Sequence, residues 1–170
     1  RSSDLDGWSK TYAMTGWRIG YAVWPLSMVE TVTRLCINDH SCVNASAQYA
    51  AMAALQGPKD EVLYMVEQFD ARRKIIVQAL NDLPNVRCAN AAGAFYAFPN
   101  FSEYLGRTAN GKLLKDTFDI SGYILESAKV VTVPGDGFGA PGHIRFSYAT
   151  DSKTIKEGIG RVRLALKNII

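Results

Sequence analysis

The sequence is poor in the residue types that form disulfide frameworks and metal sites. Its 170 residues include only three cysteines and two histidines. Cys36, Cys42 and Cys88 are an odd number, at spacings that fit neither a set of disulfides nor a paired zinc motif. His40 lies near two of them, but structural zinc usually takes four ligands at tighter paired spacings. We therefore expect reduced cysteines and no metal site.

Blocks of one charge sign and long apolar runs are also missing. The longest basic block is Arg72-Arg73-Lys74, and 19 basic residues against 16 acidic ones give a formal net charge of +3. That excess is too small for a nucleic-acid-binding surface. No apolar run is long enough to span a bilayer, and the first residues lack the pattern of a signal peptide. We expect a cytoplasmic protein with neither a nucleic-acid nor a membrane partner.

The remaining composition is that of a globular chain, with 48% hydrophobic residues and 21% charged residues. Helical spacing of apolar residues and helix-forming composition predict helices over 25–35, 45–55, 60–83, 120–127 and 152–167. Residues 36–43 are expected to be irregular. Apolar runs and alternating patterns predict strands over 19–24, 86–88, 94–98, 130–133 and 143–148, the first of them buried. These elements predict a mixed α and β fold.

The strongest chemical signal lies between Ser9 and Gly20, which read S-K-T-Y-A-M-T-G-W-R-I-G. Lys10 stands eight residues before Arg18. A lysine amine can condense with an aldehyde as a Schiff base, and an arginine can hold a phosphate by a bidentate, charge-assisted contact. Pyridoxal phosphate requires both groups. The alternative for the same two residues is a pair of surface charges flanking a β-hairpin.

This run resembles the cofactor-lysine motif of the class I/II aminotransferases, the aspartate aminotransferase family of fold-type-I pyridoxal-phosphate enzymes. The resemblance implies that Lys10 is the catalytic, cofactor-binding lysine, that Arg18 binds the phosphate of pyridoxal 5′-phosphate, and that Ser9 lies at the cofactor. It implies an α/β (α+β) fold, the C-terminal part of the fold-type-I transferase fold. Residues 1–43 would be the remnant of the cofactor-binding large domain, and 44–170 the linking helices and small domain.

The position of Lys10 has a further implication. Family members are more than twice as long, and their lysine lies past the middle of the chain, so we expect a C-terminal portion of an aminotransferase. The aspartate that pairs with the pyridine nitrogen precedes the lysine in the family. Only Asp4 and Asp6 precede Lys10 here, and neither matches that position. The isolated chain is therefore expected to be inactive.

A second candidate site residue is Arg145, in the segment H-I-R-F-S-Y-A from His143 to Ala149. Strand alternation would place Arg145 and Ser147 on one face and the apolar neighbours on the other. The matching R-x-S segment of the family supplies the arginine that binds the substrate α-carboxylate, and a planar guanidinium suits that group. The structural alternative is an edge-strand arginine paired with a helix carboxylate.

Two further segments match the family less fully. Residues 38–42 occupy the position of a family loop near the cofactor, but Cys42-Val43 replaces the usual Asn-Pro. His40 in that loop is more typical of a solvated histidine than of a catalyst. The tract Pro134–Gly139 resembles a family turn whose glycines supply positive-φ positions.

The resemblance implies a pyridoxal-phosphate-dependent aminotransferase that exchanges an amino group between an amino acid and a 2-oxo acid, and that forms a homodimer. Lys10 would move a proton from the substrate Cα, while Arg18 and Arg145 would hold the phosphate and the carboxylate. A lyase or synthase on the same fold is an alternative, because fold and cofactor do not fix the reaction. Another is a non-catalytic chain that associates with its own copy.

Overall fold

A computed structural model describes residues 4–170. The chain forms two compact units, and the division falls within one helix, between Met65 and Val66. No helix in the described part of the chain is both long enough and apolar enough to cross a membrane.

The first unit consists of a short ladder, a loop and helices. In chain order its elements are β1 (Asp4–Gly7), α1 (Trp8–Thr11), a 3-10 turn (Thr15–Trp17), β2 (Gly20–Val23), α2 (Leu26–His40), α3 (Ala45–Gln56) and the first part of α4 (Asp60–Asn81). Strands β1 and β2 pair antiparallel. The core of this unit is small and contains Trp8, Met14, Ile19, Ala47 and Ala51.

Two predictions for the first unit need correction. The strand over 19–24 was expected to be buried, yet within β2 Tyr21 is 48% exposed and Val23 57% exposed. Within residues 4–170 its one strand partner is β1. The small core includes Ile19, which precedes the strand, but no residue of β2 itself. Helix α2 continues to His40 rather than ending at residue 35, since no breaker intervenes before Ser41, whose φ of 62° ends the helix.

The helices on either side of Gly57-Pro58 follow the sequence closely. Asn44 caps α3, since its side-chain oxygen accepts a hydrogen bond from the Ala47 amide. Helix α3 ends at Gln56, and α4 runs from Asp60 to Asn81, two residues short of the predicted end. Both helices are therefore confirmed.

The second unit packs helices against a three-stranded antiparallel sheet. Its elements are the rest of α4, β3 (Tyr96–Ala97), a 3-10 turn (Ser102–Tyr104), β4 (Thr108–Ala109), β5 (Lys112–Leu113), α5 (Thr117–Ala128), β6 (Val133–Pro134), a 3-10 turn (Gly135–Phe138), β7 (Ile144–Ser147) and α6 (Ser152–Leu166). The sheet order is β3-β7-β6, and β4 and β5 form a separate hairpin. Helix α6 buries Ile155, Ile159, Val162 and Leu166, which recur at helical spacing.

The predicted strands of this unit are shorter in the structure. Residues 86–88 form only one bridge, between Arg87 and Asn100. The strand expected over 130–133 is reduced to Val133–Pro134, which pairs with Arg145 and Ile144. A sequence pattern indicates which residues are apolar. A strand also requires a neighbouring strand with which to form backbone hydrogen bonds.

Strand β7 shows the predicted alternation. Ile144 and Phe146 are buried in the main core, the large apolar cluster of the second unit, while Arg145 is half-buried and Ser147 is exposed. The strand pairs with β3 on one side and β6 on the other. Arg145 therefore lies on the central strand of the sheet. The structural alternative had placed it on an edge strand.

Candidate functional site

The loop that contains the candidate lysine is closed by a pair of glycines. Gly7 and Gly20 face each other at the end of the β1–β2 ladder. Residues 8–19 therefore form one connection between the two strands. A Cβ on Gly20 would lie 3.1 Å from the Asp6 carbonyl oxygen, which leaves little room for any other residue. Lys10 and Arg18 thus both belong to a single short loop.

Trp8 holds the start of this loop on the unit's core. Its indole Nε1 donates a hydrogen bond to the Ala51 carbonyl in α3, at 3.1 Å. Its ring meets that of Tyr21 edge to face, with centroids 5.3 Å apart. Trp8 is itself buried, and Ser9 and Lys10 follow it directly in α1. Burial of Trp8 therefore fixes the helix turn from which the exposed Lys10 projects.

A lysine from the next helix connection contacts the same loop. The Lys59 amine donates to the Ala54 and Leu55 carbonyls at the end of α3, at 2.6 and 2.7 Å. It also donates to the Tyr12 hydroxyl at 3.4 Å and lies 5.3 Å from the centroid of that ring. Lys59 thus links the loop to the carboxyl end of α3, where helix carbonyls favour a cation.

Arg18 has a backbone conformation that few non-glycine residues adopt. Its φ is 54° and its ψ is 49°, in the left-handed region. Its guanidinium donates to the Thr15 carbonyl at 3.0 Å, so it folds back onto its own turn and remains exposed. No described carboxylate side chain lies within ion-pair distance of it. The remaining donors of Arg18 suit a phosphate, and Lys10 on the same loop suits an aldehyde.

The guanidinium of Arg145 contacts two aromatic rings in the second unit. Its Cζ lies 4.3 Å from the Tyr96 ring centroid and 4.6 Å from that of Phe138. Such contacts use the face of the guanidinium and leave its in-plane N–H donors available. Among the described side chains no carboxylate is within ion-pair distance of Arg145. The guanidinium of Arg145 can therefore donate hydrogen bonds to an external carboxylate.

The segment that resembled a cofactor loop lies mostly within a helix. His40 is the last residue of α2, and its Nδ1 is 3.1 Å from the Asp39 carboxylate. Both side chains are at least half exposed, and Asn38 donates to the Arg34 carbonyl within the helix. These contacts join residues that are near one another in the sequence.

The family model for aminotransferase class I and II matches residues 5–162, which is most of the chain and includes Lys10, Arg18 and Arg145. The chain belongs to the class I and II aminotransferases.

Sequence similarity to individual aminotransferases supports this assignment. The chain is 43% identical over 162 residues to an aspartate aminotransferase of Streptomyces avermitilis, covering 95% of this chain and 40% of that protein. It is 40% identical to a probable aspartate/prephenate aminotransferase of Aquifex aeolicus, covering 97% and 41% respectively. The chain thus spans about 40% of the length of the curated relatives it matches.

The structural comparison gives the same fold. The crystal structure of an aspartate aminotransferase from Rhizobium meliloti superposes with a TM-score of 0.94 at 37% identity, over 99% of this chain and 42% of that one. An aromatic aminotransferase from Pyrococcus horikoshii matches with a TM-score of 0.87 at 32% identity, over 97% and 43%. The expected fold-type-I aminotransferase fold is confirmed for the part of it that this chain covers.

Several residues near the candidate groups of this chain were not predicted from the sequence. Trp8, Lys59, Tyr96 and Phe138 make the contacts described above, and Thr117 and Asp136 bond to each other beside Phe138. Phe138 lies in the Pro134–Gly139 turn, whose glycines alone were considered. Thr117 and Asp136 are 19 residues apart, and no local pattern in the sequence connects them.

Proposed function

We propose that this chain contributes the cofactor lysine and the substrate-carboxylate arginine of a pyridoxal-phosphate-dependent aminotransferase. The observation that supports the cofactor part is the single loop, closed by Gly7 and Gly20, on which Lys10 and Arg18 both lie. The observation that supports the substrate part is the guanidinium of Arg145, which contacts two rings but no described carboxylate.

The residues of the loop fit pyridoxal 5′-phosphate. Lys10 and Ser9 lie in the short helix after Gly7, and the exposed Arg18 guanidinium would bind the phosphate. When bound, this cofactor supplies an electron-poor ring that weakens the bonds at the substrate Cα. The Nζ of Lys10 would accept the proton from the substrate Cα and would deliver it to the cofactor carbon.

In the second unit, Arg145 would bind the α-carboxylate of the amino acid or the 2-oxo acid. Its position on the central strand of the sheet gives it a rigid support, and the two rings restrict its rotamers. A bidentate contact to a carboxylate fixes both distance and plane. We expect aspartate and related acids as substrates, because the relatives are named for aspartate or prephenate.

The same proposal divides the chain into parts of two domains. We propose that residues 1–43 belong to the cofactor-binding domain of the aminotransferase and that residues 44–170 supply linking helices and the small domain. The hydrogen bond from Trp8 to α3 supports a lysine loop that packs on the first of these helices. The cytoplasmic location expected from the sequence stays a prediction.

A second candidate function, self-association without catalysis, is favoured by exposed apolar residues in the first unit. Leu26 is 93% exposed and Tyr49 71% exposed, and other apolar residues of α2 and α3 are also exposed, namely Leu35, Ile37, Met52 and Leu55. Apolar surface of this kind usually marks an interface. We propose that a homodimer covers part of it. Light scattering would show a dimer mass that falls to the monomer mass in Leu26→Glu if this surface is used.

The cofactor proposal is tested by reductive trapping. The chain is mixed with pyridoxal phosphate, reduced with borohydride and digested, and the modified lysine is located by peptide mass spectrometry. We expect selective modification of Lys10, its loss in Lys10→Ala, and no change in Lys153→Ala, a control at a lysine that is 84% exposed on α6. Modification spread over surface lysines and unchanged in Lys10→Ala would contradict the proposal.

A further inference from the structure

The start of α5 is bonded to the turn that precedes β7 through one pair of residues. The Asp136 carboxylate accepts hydrogen bonds from the Thr117 amide, at 2.9 Å, and from the Thr117 hydroxyl. In return the Asp136 amide donates to the Thr117 hydroxyl oxygen at 3.2 Å. Thr117 is completely buried. Three hydrogen bonds therefore join two segments that are far apart in the sequence.

These bonds are not required to begin the helix. Asp116 already caps α5, since its side chain accepts a hydrogen bond from the Asp119 amide. The hydrogen bonds from Thr117 also hold the pKa of Asp136 below its ordinary range. The hydrogen bonds of Asp136 therefore join the turn to the helix in addition to the cap that Asp116 provides.

The turn held by this pair has little freedom to change shape. The Gly135 amide donates to the His143 carbonyl at 2.8 Å, and the Gly135 carbonyl accepts from the Ala140 amide at 3.0 Å. A Cβ on Gly135 would clash with both the Ala140 and His143 carbonyl oxygens. Gly139 ends the turn with a φ of 68°, in the left-handed region. The hydrogen bonds that hold the turn in place therefore also fix the other residues of the turn.

One of those members is Phe138, whose ring contacts the Arg145 guanidinium. Phe138 also meets Phe98 edge to face, with centroids 6.3 Å apart. Of the two ring contacts described for the Arg145 guanidinium, the one with Tyr96 does not depend on this turn. A long arginine side chain held on one side has more rotamers to lose when it binds a ligand.

We propose that Thr117 and Asp136 are positioning residues that hold Phe138 against Arg145 and so fix the orientation of its guanidinium. The inference rests on the proposed function, in which Arg145 binds the substrate carboxylate. The side-chain hydrogen bonds described for these two residues join them to each other and not to Arg145. Their effect is on the affinity for a carboxylate rather than on proton transfer at Lys10.

The test uses the Arg145 Nε–Hε resonance of the ¹⁵N-labelled chain, assigned by its absence in Arg145→Lys. Nearby aromatic rings shift this resonance, and Phe138→Leu measures the share due to Phe138. We expect Asp136→Asn and Thr117→Val to move the resonance toward its position in Phe138→Leu. Thr117→Ser keeps the hydroxyl and is expected to keep the parental position. Thermal unfolding shows which variants are folded.

Folded Asp136→Asn or Thr117→Val chains that retain the parental resonance would overturn the proposal. If Asp136→Asn does not fold, the Thr117→Val and Thr117→Ser pair decides alone. These measurements need neither cofactor nor substrate, so they are independent of the trapping of Lys10.

Titration with succinate then separates the positioning role from the substrate role. We expect the dissociation constant measured at Arg145 to rise about threefold to tenfold in Thr117→Val, the cost of ordering one long side chain, and to recover in Thr117→Ser. A resonance that moves in the variants but does not respond to succinate in the parent supports the positioning role and removes the proposed substrate role. An equal dissociation constant in parent and Thr117→Val contradicts the positioning role.

Discussion

The indole of Trp8 donates a hydrogen bond to the Ala51 carbonyl at 3.1 Å and ties the residue two positions before Lys10 to the middle of α3. Trp8→Phe removes this bond and part of the buried ring. We expect a loss of about 1–2 kcal/mol in the free energy of unfolding. Urea unfolding followed by the fluorescence of the remaining tryptophans, Trp17 and Trp24, reports on the first unit, which contains all three tryptophans.

Trp17→Phe is the matched control for that variant. Trp17 lies in the same loop but is 51% exposed, so its replacement should change the free energy by less than about 0.5 kcal/mol. Equal losses in the two variants would show that Trp8 does not hold the loop. Trapping of Lys10 by pyridoxal phosphate and borohydride should fall in Trp8→Phe and stay unchanged in Trp17→Phe.

Arg18 combines a left-handed backbone with a proposed phosphate contact, and two variants separate these properties. The positive φ of this position is unfavourable for the alanine of Arg18→Ala, whereas the glycine of Arg18→Gly adopts it without strain. We expect Arg18→Gly to be more stable than Arg18→Ala by about 0.5–1 kcal/mol, since the flexibility of glycine in the unfolded chain offsets part of the gain.

Both variants should bind pyridoxal phosphate more weakly, by about tenfold or more, because a charge-assisted bond contributes roughly 1.5–3 kcal/mol. Absorbance titration measures the affinity, and urea unfolding measures the stability. Wild-type affinity in both variants would remove Arg18 from the proposed site, whatever the stabilities are.

Helix α4 offers two leucines with opposite surroundings. Leu80 is completely buried in the main core, whereas Leu63 is 60% exposed. Leu80→Ala leaves a cavity and should lower the free energy of unfolding of the second unit by about 2–5 kcal/mol. Leu63→Ala should change stability by less than about 0.5 kcal/mol. Far-UV circular dichroism in urea measures both, and similar losses would contradict the observed burial.

The sequence predicted this helix and its apolar face well, yet burial along that face is uneven. Ile76 and Leu80 are buried, but Val66, another apolar residue of the same helix, is 59% exposed. A stripe of apolar residues at helical spacing is a local property, whereas its burial requires a neighbouring surface. The same distinction explains why β2 is exposed despite its apolar sequence.

The candidate site was predictable where chemistry and spacing coincide in a short run. Lys10 and Arg18 lie eight residues apart, and strand alternation placed Arg145 correctly on the less buried face of β7. The residues around these groups could not be predicted, because Ala51 and Lys59 contact the loop at Trp8 and Tyr12, and Phe138 contacts Arg145, only through the fold. Positions of that kind depend on three-dimensional packing and leave no periodic signal in one sequence.

Acid should destabilise the second unit through carboxylates that are hydrogen-bonded in the folded state. The Lys112 amine, 2.6 Å away, together with the Lys115 amide, holds the pKa of Asp119 below its ordinary value of 3.8. Thr117 lowers the pKa of Asp136 in the same direction. A folded pKa below the unfolded one gives stabilisation that is complete above the unfolded value and is lost as the pH falls through the folded value.

We therefore expect the free energy of unfolding to decrease as the pH falls below about 4, with the unfolded chain binding more protons than the folded one. Urea unfolding followed by circular dichroism at pH values from 7 to 2.5 measures this slope. Asp136→Asn removes one of the titrating carboxylates, so its free energy should fall less steeply in the acid range than that of the parent. Lys112→Met, which removes the partner of Asp119, should have the same effect. Parallel acid slopes in all three chains would show that these hydrogen bonds do not lower the two pKa values.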